Sequence, residues 1–226
     1  MSSRPRRSAL LVFAKAPEPG TVKTRLIPLL GKETAAKLYS ALLVNCIAMA
    51  TQWQNQGIQL WCFPDGTHPW FTRLQKNFPL TLHTQVGNDL GQRMHYAFQQ
   101  ALKDFDAAVI IGSDCPTINA ALLDQAFQAL YAGKDAVIAP AEDGGYVLMG
   151  LKKPVWTLFS DIHWGTGQVF EQTQQRLQQL QLSWQALDVQ WDVDRPVDLE
   201  RLIGESRYQW QAELRSVINT VKKTVG

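Results

Sequence analysis

Apolar and polar positions alternate along this chain in two rhythms, and the rhythms take turns. "ALLVFA" (9–14) is a short continuous apolar run, which suits a strand covered on both faces. "APEPG" breaks it at once. From Lys32 to Trp53 the rhythm is helical, with Ala35, Leu38, Leu42 and Cys46 on one face at spacings of three and four, and "NQG" ends it. "IQLWCF" (58–63) predicts the next strand, closed by "PDG". "LTLHTQV" (80–86) alternates, as a half-buried or edge strand does. Gly91 to Phe105 predicts a helix with Met94, Ala97, Phe98 and Ala101 inward. "AAVIIG" (107–112) is the most strand-like stretch of all.

The second half continues the alternation. Asn119 to Tyr131 predicts a helix with Asn119 as its N-cap. "DAVIAPA" and "GYVLMGL" predict strands around "EDGG". A glutamine-rich helix starts near Thr166, and "SWQALDVQWDVD" reads as a strand. "RPVDLERLIG" opens a helix with Pro196 in its first turn, and Ser206 to Lys222 forms a last one. Alternating strands and helices with neither repeat nor linker predict one α/β domain over residues 9–226.

Composition changes this picture little. Hydrophobic residues make up 46% and charged residues 19%, the balance of a folded chain rather than a disordered one. The formal net charge is +2, so no global field draws nucleic acid or an anionic membrane. Arg4, Arg6 and Arg7 precede the first strand, and residues 1–8 are expected to be a flexible basic tail. Leu38 to Ala50 is too short and too polar to span a bilayer. Cys46, Cys62 and Cys115 form no close pair, so neither disulfides nor structural zinc is expected and a reducing cytoplasm is.

Chemistry gathers where strands end. In open α/β sheets, ligands bind at the carboxyl ends of the strands. "VIIGSDCPT" (109–117) puts Asp114 just past the end of the most buried strand, where a carboxylate faces either the ligand crevice or the following helix as a cap. "KAPEPGTVKTRL" (15–26) stiffens a loop with Pro17, Pro19 and Gly20 and loads it with Lys15, Lys23 and Arg25. That suits a phosphorylated ligand, or an ordinary solvated loop, and it lacks the Walker A frame. "WDVDRPVDL" (191–199) sets Asp192 and Asp194 on one side of a strand end, a pairing that suits a hard divalent cation. Asp194 and Asp198 equally suit a helix cap. "EDGGYVLMG" marks a close backbone approach, with Glu142 read as a turn acid. "GNDLGQRM" (87–94) leaves a bare helix start, with Arg93 in the first turn. His163 and Trp164 read as structural. No Gly-x-Ser-x-Gly elbow is present and Cys115 has no base partner, which argues against nucleophilic hydrolysis.

Each motif is weak alone, but their order resembles one family. "VFAKAPEPGTVKTRL", "GNDLGQRM", "IIGSDCPT", "PAEDGGYVLMGL", "WGTGQVFEQT" and "DVDRPVDL" look like the small bacterial transferases described as rSAM- or selenodomain-associated and glycosyltransferase-A-like. The resemblance runs from about Leu10 to Leu202. It implies the nucleotide-diphospho-sugar transferase fold: a three-layer α/β/α sandwich with a Rossmann-like, mixed, mostly parallel sheet. Molybdopterin guanylyltransferase and phospholactate guanylyltransferase share that fold.

The resemblance also implies roles. Lys15, Ala16, Pro17, Gly20, Lys23 and Arg25 would hold nucleotide phosphates, with Lys23 and Arg25 acting in catalysis. Asp114 and Asp194 would bind Mg2+ or Mn2+, with Asp192 as the less favoured second ligand. Asp143 would serve as base, and Gly144, Gly145, Tyr146 and Trp164 would face the sugar or acceptor. Asp89, Gly91 and Arg93 would lie near the base or ribose. Classical glycosyltransferases of this fold use Asp-x-Asp for the metal; here the matching stretch is Ser113-Asp114-Cys115, with a single acid. The expected activity is sugar transfer from a nucleotide-diphospho-sugar to a small acceptor. The alternatives are a guanylyl- or cytidylyl-type nucleotidyltransferase that releases pyrophosphate, and a nucleotide-binding protein without turnover. The expected ligands are a nucleotide sugar or nucleoside triphosphate and a small-molecule acceptor, with no nucleic acid or membrane and with room for an oligomer.

Overall fold

The first apolar run forms β1 (Ser8–Lys15), which lies inside the sheet with parallel neighbours on both sides. The computed structural model describes residues 6–53, 57–205 and 210–225. Ala9, Leu10, Leu11 and Val12 are wholly buried, as a strand covered on both faces requires. Among the described residues the sheet has seven strands in the order β3-β2-β1-β4-β6-β5-β7. The others are β2 (Ile58–Phe63), β3 (Thr81–Thr84), β4 (Ala107–Gly112), β5 (Ala136–Pro140), β6 (Tyr146–Leu151) and β7 (Trp184–Ala186). Only β6 runs against its neighbours, between β4 and β5. The alternating stretch around Leu82 is the edge strand β3.

Helices cover both faces. On one side lie α1 (Ile27–Trp53), α2 (Pro69–Gln75) and α4 (Ala120–Tyr131); on the other lie α3 (Leu90–Ala101) and α5 (Val169–Gln179). Asn119 caps α4 as the sequence predicts, its Oδ1 accepting from the Leu122 amide at 3.0 Å. The sequence pattern does not announce α2, a helix of seven residues; its signal is Pro69 in the first position behind a capping His68.

α1 meets two partners. Ala36, Tyr39, Leu43 and Ile47 pack on the sheet, while Leu38, Ala41 and Leu42 pack toward α6 (Pro196–Gly204) and α7 (Ala212–Val225). The final helices thus add a partial outer layer to the sandwich. The segment from Thr24 to Trp53 is long and apolar enough to cross a membrane, but 61% of its most apolar stretch is buried here, as in a core helix.

Two local expectations need correction. Arg6 and Arg7 are not a free tail: Arg6 lies 4.8 Å over the Tyr131 ring and donates to the Tyr131 carbonyl, and the Arg7 amide donates to Asp106 Oδ2 at 2.8 Å. Arg4 lies outside the described residues, as do Asn55, Gln56 and the expected helix start at Ser206. The stretch from Ser183 to Asp194 is a strand only over Trp184–Ala186, with a single further bridge between Gln190 and Ala141. Beyond it Trp191 and Val193 still alternate inward, and the Val193 amide donates to the Asp114 carbonyl at 3.1 Å. Alternation there comes from burial without a ladder.

Candidate functional site

The loop after β1 wraps back over the strand ends. The Ala16 amide donates to the Phe63 carbonyl at 2.7 Å, which ties the loop to β2. The Lys15 amide donates to the Tyr39 hydroxyl, which also bonds Ser113 Oγ at 2.9 Å. The end of β1, the first long helix and the turn after β4 are therefore stitched together by one buried phenol. Pro17 and Gly20 sit on the outer bend, Gly20 with φ of 88°. Lys23 then adopts a left-handed backbone, φ 48° and ψ 42°, which costs a non-glycine residue about 1–2 kcal/mol.

That unusual backbone aims the lysine inward. Lys23 Nζ donates to Asp114 Oδ2 at 2.7 Å, and the lysine side chain is only 3% exposed. Burial drives the Asp114 carboxyl up, but the charge and hydrogen bond of Lys23 outweigh it and hold the group below its ordinary value. Two residues along, Arg25 makes the second such pair, with Asp194. Asp198 caps α6 by accepting from the Asp194 and Arg195 amides, so that acid is a cap while lining the same hollow.

Two clefts open at these strand ends and share Asp194. One, of about 450 Å³, is lined by Phe13, Lys15, Lys23, Gln85, Arg93 and Asp114. The other, of about 320 Å³, is lined by Arg25, Asp143, Thr166, Asp192, Asp194 and Arg195. Asp192 in the second cleft has its pKa pushed up to about 6, by burial first and then by the neighbouring Asp114, Asp143 and Asp194 charges.

Backbone contacts shape the second cleft. Asp143 Oδ1 accepts from the Gly145 amide at 2.9 Å, folding the "EDGG" turn. Gly144 has φ of 87°, and a Cβ there would stand 2.1 Å from the Gly167 carbonyl oxygen. Only glycine lets this turn meet the Gly165–Gly167 loop. Glu142, at the rim, takes both its oxygens to Arg201.

Other residues singled out in the sequence serve capping or packing. Asp89 caps α3, its Oδ1 accepting from the Gln92 amide at 2.7 Å. Gly91 is a packing position, where a Cβ would meet Phe159 O at 2.7 Å and the Trp164 ring at 2.8 Å. Trp164 covers that glycine and meets Tyr146 edge-on. The Tyr146 hydroxyl is buried against Thr173 in the layer beneath the cleft. Arg93 does reach the first cleft. Tyr39, Gln85, Thr166 and Arg195 also line the two clefts and are not singled out as site residues in the sequence, because each sits in a segment whose local pattern is that of an ordinary helix, loop or cap.

The donors suit a hard divalent cation. Asp114, Asp192 and Asp194 offer oxygen only, and a dication would relieve the carboxylate repulsion that adds to burial in raising Asp192. Among the described residues no three His, Cys, Asp or Glu side chains form a ready-made cage. Magnesium and manganese do not need one, because substrate phosphates and water complete their shell.

A family model described as "Uncharacterized protein conserved in bacteria (DUF2064)" matches residues 46–166. No curated protein matches the sequence. Among solved structures, one from Desulfovibrio desulfuricans G20, solved as a candidate nucleotide-diphospho-sugar transferase, is 29% identical over 98% of this chain and 97% of its own, with a TM-score of 0.83. A cytidylyltransferase from Leptospira borgpetersenii is 15% identical, over 97% of this chain and 95% of its own, with a TM-score of 0.56. Glucosyl-3-phosphoglycerate synthase from Mycobacterium tuberculosis, solved with Mn2+ and UDP, is 13% identical over 98% of this chain and 80% of its own, with a TM-score of 0.52. The last two share the fold with this chain.

Proposed function

We propose that this chain, which belongs to the DUF2064 family of proteins conserved in bacteria, is a divalent-metal-dependent transferase that moves a sugar from a nucleotide-diphospho-sugar to a small acceptor. The observation that carries the reading is the pair of clefts that share Asp194, one cationic and one carboxylate-lined. A nucleotide sugar has a matching division: base and diphosphate on one side, sugar on the other. The selenodomain-associated branch suggested by the motif order is part of this reading, as is a reducing, cytoplasmic setting. All three described cysteines are free and buried, which supports that setting.

Lys15, Lys23 and Arg25 would hold the diphosphate and stabilise the charge that grows on it as the glycosidic bond breaks. Asp114 and Asp194 would hold Mg2+ or Mn2+, which when bound supplies Lewis-acid stabilisation of the same leaving group. Asp143 and Asp192 line the second cleft, which would take the acceptor, and Asp143 would take the proton from an acceptor hydroxyl. Gly144 and the Gly165–Gly167 loop close that side by backbone contact.

A nucleotidyl transfer is the second reading, and one observation favours it. A single acid, Asp114, follows β4, and the loop facing it carries three cations suited to a departing pyrophosphate. A thermal-shift screen of nucleotide sugars and nucleoside triphosphates, with and without metal, separates the readings. A ligand at about 100 times its Kd adds about 2.7 kcal/mol of stability. Metal-dependent stabilisation by a nucleotide sugar, followed by release of nucleoside diphosphate, supports sugar transfer. Stabilisation by a bare triphosphate with pyrophosphate release overturns it. Undiminished binding in the Asp114→Asn, Asp194→Asn double variant would favour a binding protein without turnover.

A further inference from the structure

The cationic cleft has a graded lining. Lys23 and Asp114 meet just past the end of β4, while Gln85 follows β3 and Arg93 lies over Phe63 at the end of β2, three and two strands away in the sheet. A nucleotide is graded in the same way, with charged phosphates and a planar base. Arg93 carries the guanidinium on that side of the lining, and two contacts fix it. Its guanidinium lies 4.2 Å over the Phe63 ring, and its Nε donates to the Gly87 carbonyl at 3.0 Å. Gly87 can deliver that carbonyl only because it is glycine: φ is 139°, and a Cβ would stand 2.6 Å from Gln92 Cβ.

These contacts use the ring face and Nε. They leave both Nη groups without a hydrogen-bond partner among the described residues, on a guanidinium already held in place. A fork of two parallel N–H donors needs two acceptor atoms side by side. Guanine offers O6 and N7, and cytosine offers N3 and O2. Adenine has no such adjacent pair, because its exocyclic amine flanks N7 and N1. Uracil interposes an N–H between its two oxygens. Gln85 adds a second criterion. Its Nε2 donates to the Ala14 and Trp61 carbonyls at 3.2 and 2.8 Å, which fixes the amide and leaves Oε1 as an acceptor. Guanine and cytosine each carry an amine that could meet an acceptor; uracil does not.

Resting on the nucleotide-transferase reading above, we infer that Arg93 reads the nucleobase, and that the site takes a base with two adjacent acceptors, guanine or cytosine, over adenine and uracil. Arg93 is thus a specificity-determining residue whose selectivity is set by the Gly87 turn and the Phe63 ring. Calorimetric titration of the whole chain with GDP, CDP, ADP and UDP, each with Mn2+, tests this. GDP or CDP should bind at least about tenfold more tightly than ADP and UDP, the discrimination expected of a bidentate pair. In Arg93→Met the four affinities should converge, while inorganic pyrophosphate with Mn2+ binds as in the parent chain. A preference for ADP or UDP, or an unchanged preference in Arg93→Met, overturns the inference and leaves the transferase reading standing. If no nucleotide binds the parent chain, both fall together. Should Arg93→Met fail to fold, the panel on the parent chain still decides, and Phe63→Leu, which removes the stacking ring, should narrow the preference.

Discussion

Lys23 Nζ stands 2.7 Å from Asp114 Oδ2, although 91 residues separate them, and the lysine is almost wholly enclosed while the aspartate is about a third exposed. The left-handed backbone at Lys23 and the turn after β4 exist in this form to bring the two charges together. Asp114→Asn removes the counter-charge and leaves a buried ammonium behind. A fully buried pair broken in this way costs about 3–5 kcal/mol, and the exposure of Asp114 reduces that to about 1–3 kcal/mol. Urea unfolding of the variant at pH 7 measures it. The pair also sets an acid limit. Because the folded carboxyl lies below its ordinary value, its contribution is present above the unfolded pKa and is lost as pH falls through the folded one. Between pH 5 and 8 this pair should leave stability flat, with the loss appearing below about pH 4.

The same pairing should couple metal to nucleotide if the proposed ligands hold. Each proposed metal ligand already has one oxygen taken by a cation that the diphosphate would claim, Lys23 on Asp114 and Arg25 on Asp194. Mn2+ alone should therefore bind weakly, and a nucleoside diphosphate should raise its affinity by about 5- to 150-fold, the usual range of coupling between sites. By reciprocity the metal raises nucleotide affinity by the same factor. Mn2+ titration followed by electron paramagnetic resonance, with and without nucleotide, checks this. Equal affinity in both titrations would sink it.

How much of this was legible beforehand depends on range. β1, β4 and the Asn119 cap could be read because their signals lie within a few neighbouring residues. The motif order pointed to the sheet and to the carboxylates at its edge. The contacts that decide the site span the chain, such as Tyr39 with Ser113 or Lys23 with Asp114, and no local periodicity encodes them. Gly91 and Gly144 were both read as ligand-facing glycines. One proves to seat a tryptophan and the other to seat a neighbouring loop, because a close backbone approach looks alike in sequence whatever approaches. Asp192 is the less favoured acid in the sequence because its raised pKa comes from burial and from charges such as Asp114 and Asp143, which arrive from other segments.

Asp192 should act against stability. Its folded pKa is raised to about 6, from an ordinary carboxylate value near 3.8, so the folded state favours the protonated form. That preference is fully present below the unfolded pKa and is lost as pH rises through the folded one. The ionised side chain at neutral pH therefore costs about 1–3 kcal/mol. Asp192→Asn escapes this cost, so its advantage over the parent chain should open between about pH 4 and 6 and hold constant above. Urea unfolding of both proteins at pH 4 and pH 7.5 tests the sign. The same variant should lose activity, as expected where a functional site is held at the expense of stability.

Gly144 offers a test that involves no charge. A Cβ at this position would stand 2.1 Å from the Gly167 carbonyl oxygen, and the residue's φ of 87° disfavours any side chain. The obstacle is backbone, so Gly144→Ala cannot be absorbed by a side-chain rotation. The Gly165–Gly167 loop must move, and with it one wall of the carboxylate-lined cleft. The Phe170 amide, which donates to the Gly144 carbonyl at 2.9 Å at the start of α5, would be disturbed as well. The strain costs about 1–3 kcal/mol. Because a misplacement of about 1 Å can cost about 100-fold in rate, turnover should fall far more than nucleotide binding, which we assign to the other cleft. Steady-state kinetics beside nucleotide titration separates the two. If Gly144→Ala weakened nucleotide binding as strongly as turnover, the division of labour between the clefts would be wrong.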